Sequence, residues 1–217
     1  MNGKVSDGLT FTNYTTWVFI IGFNHNAERE GNGIAFQGFK ATDKGTAVCL
    51  VDSGYGSQKT SGTWFNMNNA NTNSGGWEAS QMRQNIMPLI KAAFPSDLKV
   101  VIKTSTIYTD NTGNGSGNVV PTSTQDDVFL LAEYEIFGAR ANATTQEANY
   151  LKQYSYYSAG NSKVKYKHNA TASAAIWLGR SPNSNNSLTF RGINESGSTN
   201  YSPIAAYSFG VAPAFKV

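Results

Sequence analysis

Few side chains in this sequence are of the types that carry out covalent chemistry. There are two histidines, His25 and His168, and one cysteine, Cys49. A thiol becomes a nucleophile when a base and an orienting carboxylate stand beside it, so Cys49, a histidine and Asp52 form one conceivable constellation. Cys49, however, sits inside the apolar run "AVCLV", where burial keeps a thiol protonated and inert. The stretch "FNHNAERE" (Phe23 to Glu30) brings His25, Glu28 and Glu30 close in sequence, but with neither HExxH nor CxxC spacing. It reads as a polar loop after a strand. "DNTGNGSGN" (Asp110 to Asn118) has the composition of a calcium or phosphate loop, yet lacks the closing glutamate of the first and the Gly-Lys-Ser/Thr of the second. Glu133 and Glu135 are spaced to share one face of a strand, meeting solvent or an arginine. No catalytic residue, metal site or cofactor is assigned, and the chain is expected not to be an enzyme.

The elements that must position these groups follow from apolar periodicity. Val18 to Phe23, Gly33 to Lys40 and Thr46 to Ser53 are predicted strands, bounded by turn residues. In "WEASQMRQNIMPLIKAAF" apolar residues recur at three- and four-residue steps, which predicts a helix from Trp77 to Phe94 that Pro88 kinks or divides. Pro95 and Ser96 start a further helical turn expected to bury Leu98, Val101 and Ile102. Thr109 to Asp127 is a long loop. Val128 to Gly138 is a strand, and Thr144 to Tyr157 a second helix with Thr144 and Glu147 spaced as a capping box. Strands at Lys163–Lys167, Ala174–Leu178, Leu188–Ile193 and Phe209–Phe215 complete a single α+β domain over residues 1–217, with short antiparallel strands and two or three helices.

Composition narrows the function. A net charge of +3 is too mild to point to a nucleic acid. Lys163, Lys165 and Lys167 alternate, as solvated lysines guarding an edge strand do. One cysteine allows no intrachain disulfide. The apolar run "WVFIIGF" is too short to span a bilayer, so membrane insertion is not expected, and no secretory leader is visible. Abundant Asn, Ser, Thr, Tyr and Gly without a catalytic cluster is the composition of a recognition surface.

The ordered series "FIIGFNHN", "CLVDSGYGS", "FNMNNANTNSGGWEASQMR", "LLAEYEIFG", "YYSAGNSKVKYKHN" and "WLGRSP…GVAPAF" resembles a domain family of unknown function common in gut bacteria and their phages. The closing segment also resembles the C-terminus of the variable proteins of diversity-generating retroelements. That resemblance implies a C-type lectin-like fold of the formylglycine-generating-enzyme variant. It also implies that residues 177–217 form a ligand-displaying region rewritten at template adenines. Asparagine codons altered at their adenines cannot give Lys, Gln, Glu, Met or Trp, and from Asn183 to Phe209 only Glu195 is of those types. The implied scaffold is Trp177, Leu178, Arg180, Ser181, Pro182, Phe190, Ile193, Gly197, Ala205, Gly210, Val211, Pro213 and Phe215. The implied ligand-binding positions are Asn183, Ser184, Asn185, Asn186, Ser187, Thr189, Arg191, Asn194, Ser196, Thr199, Asn200, Tyr201, Ser202, Ile204, Tyr207 and Ser208. Strand alternation adds that Leu188 and Phe190 face inward while Thr189 and Arg191 face out. Phe209 is core by alternation and surface by its place in the window. The calcium-sugar motifs of true C-type lectins and the paired cysteines of the formylglycine-generating enzymes are absent. The expected function is recognition of a cell-surface protein or glycan, by a phage tail-tip domain or a bacterial surface adhesin. Tyr201, Tyr207 and Arg191 would be the anchors. A further copy of the chain is another candidate partner. The alternatives are a structural virion or surface module and an enzyme on the related catalytic fold. The expected location is a virion surface or the cell exterior.

Overall fold

Strands here are short and their sheets small, because turn residues interrupt nearly every apolar run. The computed structural model describes residues 1–217. Two strands at the start, β1 (Gly3–Ser6) and β2 (Leu9–Phe11), pair antiparallel. The longest strands, β3 (Trp17–Phe23) and β4 (Ile34–Lys40), flank the one-turn helix α1 (Ala27–Glu30). They make a three-stranded antiparallel sheet with the last strand of the chain, β12 (Ala214–Lys216), in the order β12-β4-β3. Phe215 lies opposite Phe36, and their rings stack 5.5 Å apart. The last strand is thereby joined to strands from the first forty residues.

The expected strand from Thr46 shrinks to β5 (Val48–Cys49). It pairs in parallel with β8 (Lys165–Lys167), which pairs antiparallel with β9 (Ala170–Ala175). The lysine alternation was expected to mark a solvated edge, but β8 is the central strand of this sheet. Lys165 therefore points inward and is 1% exposed.

The helix expected from Trp77 to Phe94 is broken, and not where Pro88 suggested. Ser80 is extended and separates α2 (Gly76–Ala79) from a π-helical turn, Met82–Ile86, which runs into α3 (Met87–Ala93). The Ser80 hydroxyl donates back to the Trp77 carbonyl and accepts from the Arg83 N–H. It thus closes one turn and opens the next, the use to which serine is put at helix ends. Pro88 sits in the first turn of α3, where its missing N–H costs little. Next, α4 (Ser96–Val101) buries none of its residues, and Val100 and Val101 are exposed, contrary to the expected burial of Val101.

The long loop is shorter than expected. Its ends form a hairpin of β6 (Ser105–Thr109) and β7 (Thr122–Asp126). After β7 the chain is extended only to Ala132. Residues expected to continue a strand form α5 (Glu133–Phe137), where the Glu135 carboxylate accepts the Ala132 N–H and fastens the first turn. The second predicted helix splits into α6 (Glu147–Tyr150) and α7 (Ser155–Ser158), with Leu151 extended between them. Glu147 does not serve its predicted cap with Thr144. Its carboxylate is drawn away to Ser181 and Tyr134. Finally β10 (Trp177–Pro182) pairs antiparallel with β11 (Phe190–Ile193), and every residue of both is buried.

Most buried apolar side chains from Val5 to Phe215 join one core cluster, which includes Trp77, Phe129, Trp177 and Phe190. The architecture is α+β, with mostly short antiparallel strands and a few short helices. No helix is long and apolar enough to cross a membrane.

Candidate functional site

The C-terminal segment is pinned from below by buried charge. Arg180 on β10 is fully buried, yet all five of its N–H donors are met. Nε donates to the Thr109 hydroxyl. Nη1 donates to the Leu130 carbonyl and Glu135, and Nη2 to the Tyr108 carbonyl and Glu135, both Glu135 contacts at 2.6 Å. Arg191 on β11 donates to Glu133 at 2.8 Å, to the Ser202 hydroxyl and to the Thr199 carbonyl. The other Glu133 oxygen accepts three backbone N–H groups, from Ala141, Asn142 and Ala143. Ser181 joins the same network: its hydroxyl accepts the Glu133 N–H and donates to Glu147 at 2.5 Å. Burial pushes the Glu147 carboxyl up to about 7. Lys216 on β12 pairs with Glu30 at 2.9 Å. Glu133 and Glu135, expected on a strand face near solvent or an arginine, are helical and buried, and each meets an arginine.

Asn73 ties the segment from the side. Its amide donates to the carbonyls of Asn183, Asn186 and Thr189, and its side-chain oxygen accepts the Asn114 N–H. Gly113 packs so closely here that a Cβ would stand 1.9 Å from the Asn73 carbonyl oxygen, and its φ of +65° also favours glycine.

These bonds correct five of the expected display positions. Asn183, Ser184, Thr189, Arg191 and Ser208 are buried. Asn183 bonds Ser202 and the Asn185 N–H, Ser184 bonds the carbonyls of Asn142 and Ala143, and Ser208 donates to Asp52. The alternation argument failed because β11 is covered on both faces, while Leu188, one residue before its loop ends, is 46% exposed. Arg191 is therefore an anchor of the fold and not of a ligand. Asn185, Asn186, Ser196, Asn200 and Ile204 are exposed. Ser187, Asn194, Thr199, Tyr201, Ser202 and Tyr207 are half-buried. The implied scaffold residues are buried, apart from the half-buried Gly197.

Phe209 is core, 6% exposed, and it organises the face. Tyr55 and Tyr201 meet its ring edge-on at 5.6 and 5.8 Å, and Tyr207 stacks at 6.5 Å. Tyr55 comes from the "DSGYGS" turn, far away in sequence, and was not among the expected site residues. A tyrosine in a glycine-serine turn was the available signal. Its hydroxyl accepts the Ile176 N–H, and burial pushes its pKa up to about 12. The Lys167 ammonium lies 4.3 Å from the Tyr55 ring centre, and that of Lys59 lies 3.9 Å from the Trp64 ring.

The other groups singled out by sequence are spoken for. Burial pushes the Cys49 thiol up to about 12. Asp52 accepts from Gly54, Phe65 and Ser208, and His168 accepts the Val51 N–H. His25, Glu30 and Glu135 offer ligand atoms within 4.8 Å of one another, the geometry nearest to a metal centre. His25 Nε2 and the hydroxyl of Tyr154, stacked on the His25 ring at 3.6 Å, have no hydrogen-bond partner. The fit to a divalent cation is poor. Lys216 and Arg180 already neutralise both carboxylates, and a dication would enter beside two fixed positive charges. We read the cluster as an ion-pair network. Cavities of about 520 Å³, beside Arg29 and Tyr150, and about 360 Å³, beside Arg83 and Asp127, lie away from the Tyr55–Tyr201–Tyr207 face.

No match is found among curated proteins or among solved structures. Residues 49–217, most of the chain, match the family model described as "Domain of unknown function (DUF6273)", and the chain belongs to that family.

Proposed function

We propose that this protein is a recognition module that binds a cell-surface ligand through the exposed part of its C-terminal segment. The observation that carries the reading is the contrast within residues 183–208. The segment is held by buried bonds from Asn73 to its backbone and from its Arg191 and Ser208 side chains to Glu133 and Asp52, while Asn185, Asn186, Ser196, Asn200 and Ile204 project from it into solvent. A rigid frame beneath small polar and aromatic side chains lowers the ordering cost of binding. Tyr201 and Tyr207 are the anchors, joined by Tyr55.

The resemblance to variable proteins of diversity-generating retroelements adds two elements to the proposal. The fold is of the C-type lectin-like kind, and the exposed positions differ between copies of the gene. A phage tail tip or a bacterial surface is then the natural location. The small antiparallel sheets and the pairing of N-terminal strands with the last strand are consistent with such a fold.

Two measurements test this. In the neighbouring DNA, a near-copy of the 3′ end that differs at adenines and lies beside a reverse-transcriptase gene is expected; its absence removes the diversification part. Labelled protein is expected to bind some members of a panel of gut bacterial cells. The Tyr201→Ala/Tyr207→Ala variant, checked to be folded, is expected to lose that binding. Undiminished binding by the folded variant overturns the assignment of the face.

A further inference from the structure

Two lysines beside the tyrosine cluster have no acidic partner. The ion pairs of the chain involve Lys4, Arg83, Lys91, Arg180, Arg191 and Lys216, and neither Lys59 nor Lys167. Both are half-buried and both reach the same turn. A Cβ on Gly54 would stand 2.3 Å from Lys59 Cε, and the Lys167 ammonium lies over the ring of the next residue, Tyr55. The same turn joins the C-terminal segment directly. Gly56 donates to the Ser208 carbonyl and Lys59 to the Ala206 carbonyl, and Gln58 pairs with Tyr207. The two ammonium groups therefore flank the aromatic face. Their stems are ordered against rings, so little side-chain freedom is left to lose on binding.

We propose that this face takes an acidic peptide segment of a partner protein, with a carboxylate held by Lys59 and Lys167 and an adjacent apolar side chain on Tyr201, Tyr207 and Ile204. The proposal rests on the reading of the face as a recognition surface. Charge complementarity selects the carboxylate: two unpaired ammonium groups stand here, with Glu195 the acid that acts on Tyr55 and Tyr201. Ile204 selects a peptide over a sugar or a nucleic acid: it is exposed, its carbonyl accepts the Tyr207 N–H, and an apolar side chain covers it where a hydroxyl or a phosphate would not.

A random-peptide display selection on the whole chain tests this, followed by titration of one enriched peptide, fluorescently labelled. Hyaluronate and an oligo-dT strand serve as competitors. The enriched peptides are expected to carry Asp or Glu next to a large apolar residue. The Lys59→Gln/Lys167→Gln variant is expected to bind at least tenfold more weakly, with a flatter dependence on salt, and an unchanged unfolding curve. Neutral or basic enriched peptides overturn the proposal, as does failure to enrich any. So does a peptide lost on Tyr201→Ala/Tyr207→Ala but indifferent to the lysine variant, and there the recognition face itself survives. A peptide indifferent to both variants removes the face as well. Displacement of the peptide by hyaluronate or oligo-dT at lower concentration than by unlabelled peptide assigns the lysines to those polymers instead.

Discussion

Beneath β10 and β11, Arg180, Arg191 and Lys216 each meet a glutamate at 2.6, 2.8 and 2.9 Å. On the face above, Lys59 and Lys167 meet none and rest over aromatic rings. The difference follows from access to water. An unmatched charge in the floor would lose its hydration without compensation, so each cation there is surrounded by acceptors. On the face, solvent supports the ammonium group and leaves it free to meet a carboxylate on another molecule. The three cations of the floor are thus matched, and the two lysines on the face are not. Lys165 is the exception. It is buried between Phe19 and Trp177, at 5.0 and 4.9 Å, with no carboxylate in reach.

The sharpest way to break this contrast is to remove one charge from the floor. Arg180→Met leaves Glu135 with only the Ala132 N–H, and strips donors from Thr109, Tyr108 and Leu130. We expect a loss of about 3–5 kcal/mol of stability, read by urea denaturation. The double change Arg180→Met/Glu135→Leu is expected to recover much of it, because no buried charge is then left alone. A loss below about 1 kcal/mol for the single variant, the range of exposed pairs, would erase the distinction between floor and face.

Lys165 sharpens the comparison with the opposite sign. Burial lowers its pKa from 10.5 to about 7. Between those values the folded chain binds fewer protons than the unfolded one, so this group makes stability rise with pH from about 7 to 10.5 and adds no slope below. Lys165→Met, which keeps the contact with both rings, is therefore expected to stabilise the protein at pH 7 by on the order of a few kcal/mol. The gain should shrink toward pH 10. Denaturation of both proteins at pH 7 and pH 10 checks this. An equal difference at the two values would mean that the ammonium reaches water or a partner.

How much of this could be read from the letters depends on how local the cause was. Strands β3 and β4 were legible because their apolar runs are bounded by glycine and asparagine. The helical period at Met82, Ile86 and Ile90 was legible too, and all three are buried. The break at Ser80 was not, because it depends on a serine hydroxyl taking a carbonyl that the helix would otherwise use. Glu133, Glu135 and Glu147 were misplaced for a longer-range reason. Each answers to Arg180, Arg191 or Ser181, which lie 34 to 58 residues away. On the proposed face, Tyr201 and Tyr207 were singled out by type, and both are half-buried against Phe209. Asn183, Ser184, Thr189 and Ser208 were misassigned because asparagine, serine and threonine look alike in sequence whether they face water or a buried partner, and Arg191 because its partner Glu133 lies 58 residues away.

Tyr201 and Tyr207 should fall between floor and loops. Both pack on Phe209 and are half-buried, so a cost to the fold is expected on truncation. Each change to Ala is predicted to destabilise by about 1–2 kcal/mol, less than a fully buried aromatic. Costs above about 3 kcal/mol would move them from the face into the core and leave Tyr55 as the aromatic available to a ligand.

The smallest effects are expected at the loop tips, where the contrast can be tested between two residues of one type. Asn183 and Asn200 were both expected on the display surface. Asn183 is buried, donates to Ser202 and accepts the Asn185 N–H, while Asn200 is exposed. Asn183→Ala is expected to cost about 1–2 kcal/mol, since it removes a buried side chain and its two part-buried hydrogen bonds. Asn200→Ala should lie within about 0.5 kcal/mol of the parent protein, as at surface positions generally. Equal costs would show that the frame extends to the loop tips. A near-zero cost at Asn200 alone leaves that position free to change its ligand contacts without weakening the fold beneath it, the property that a diversified surface requires.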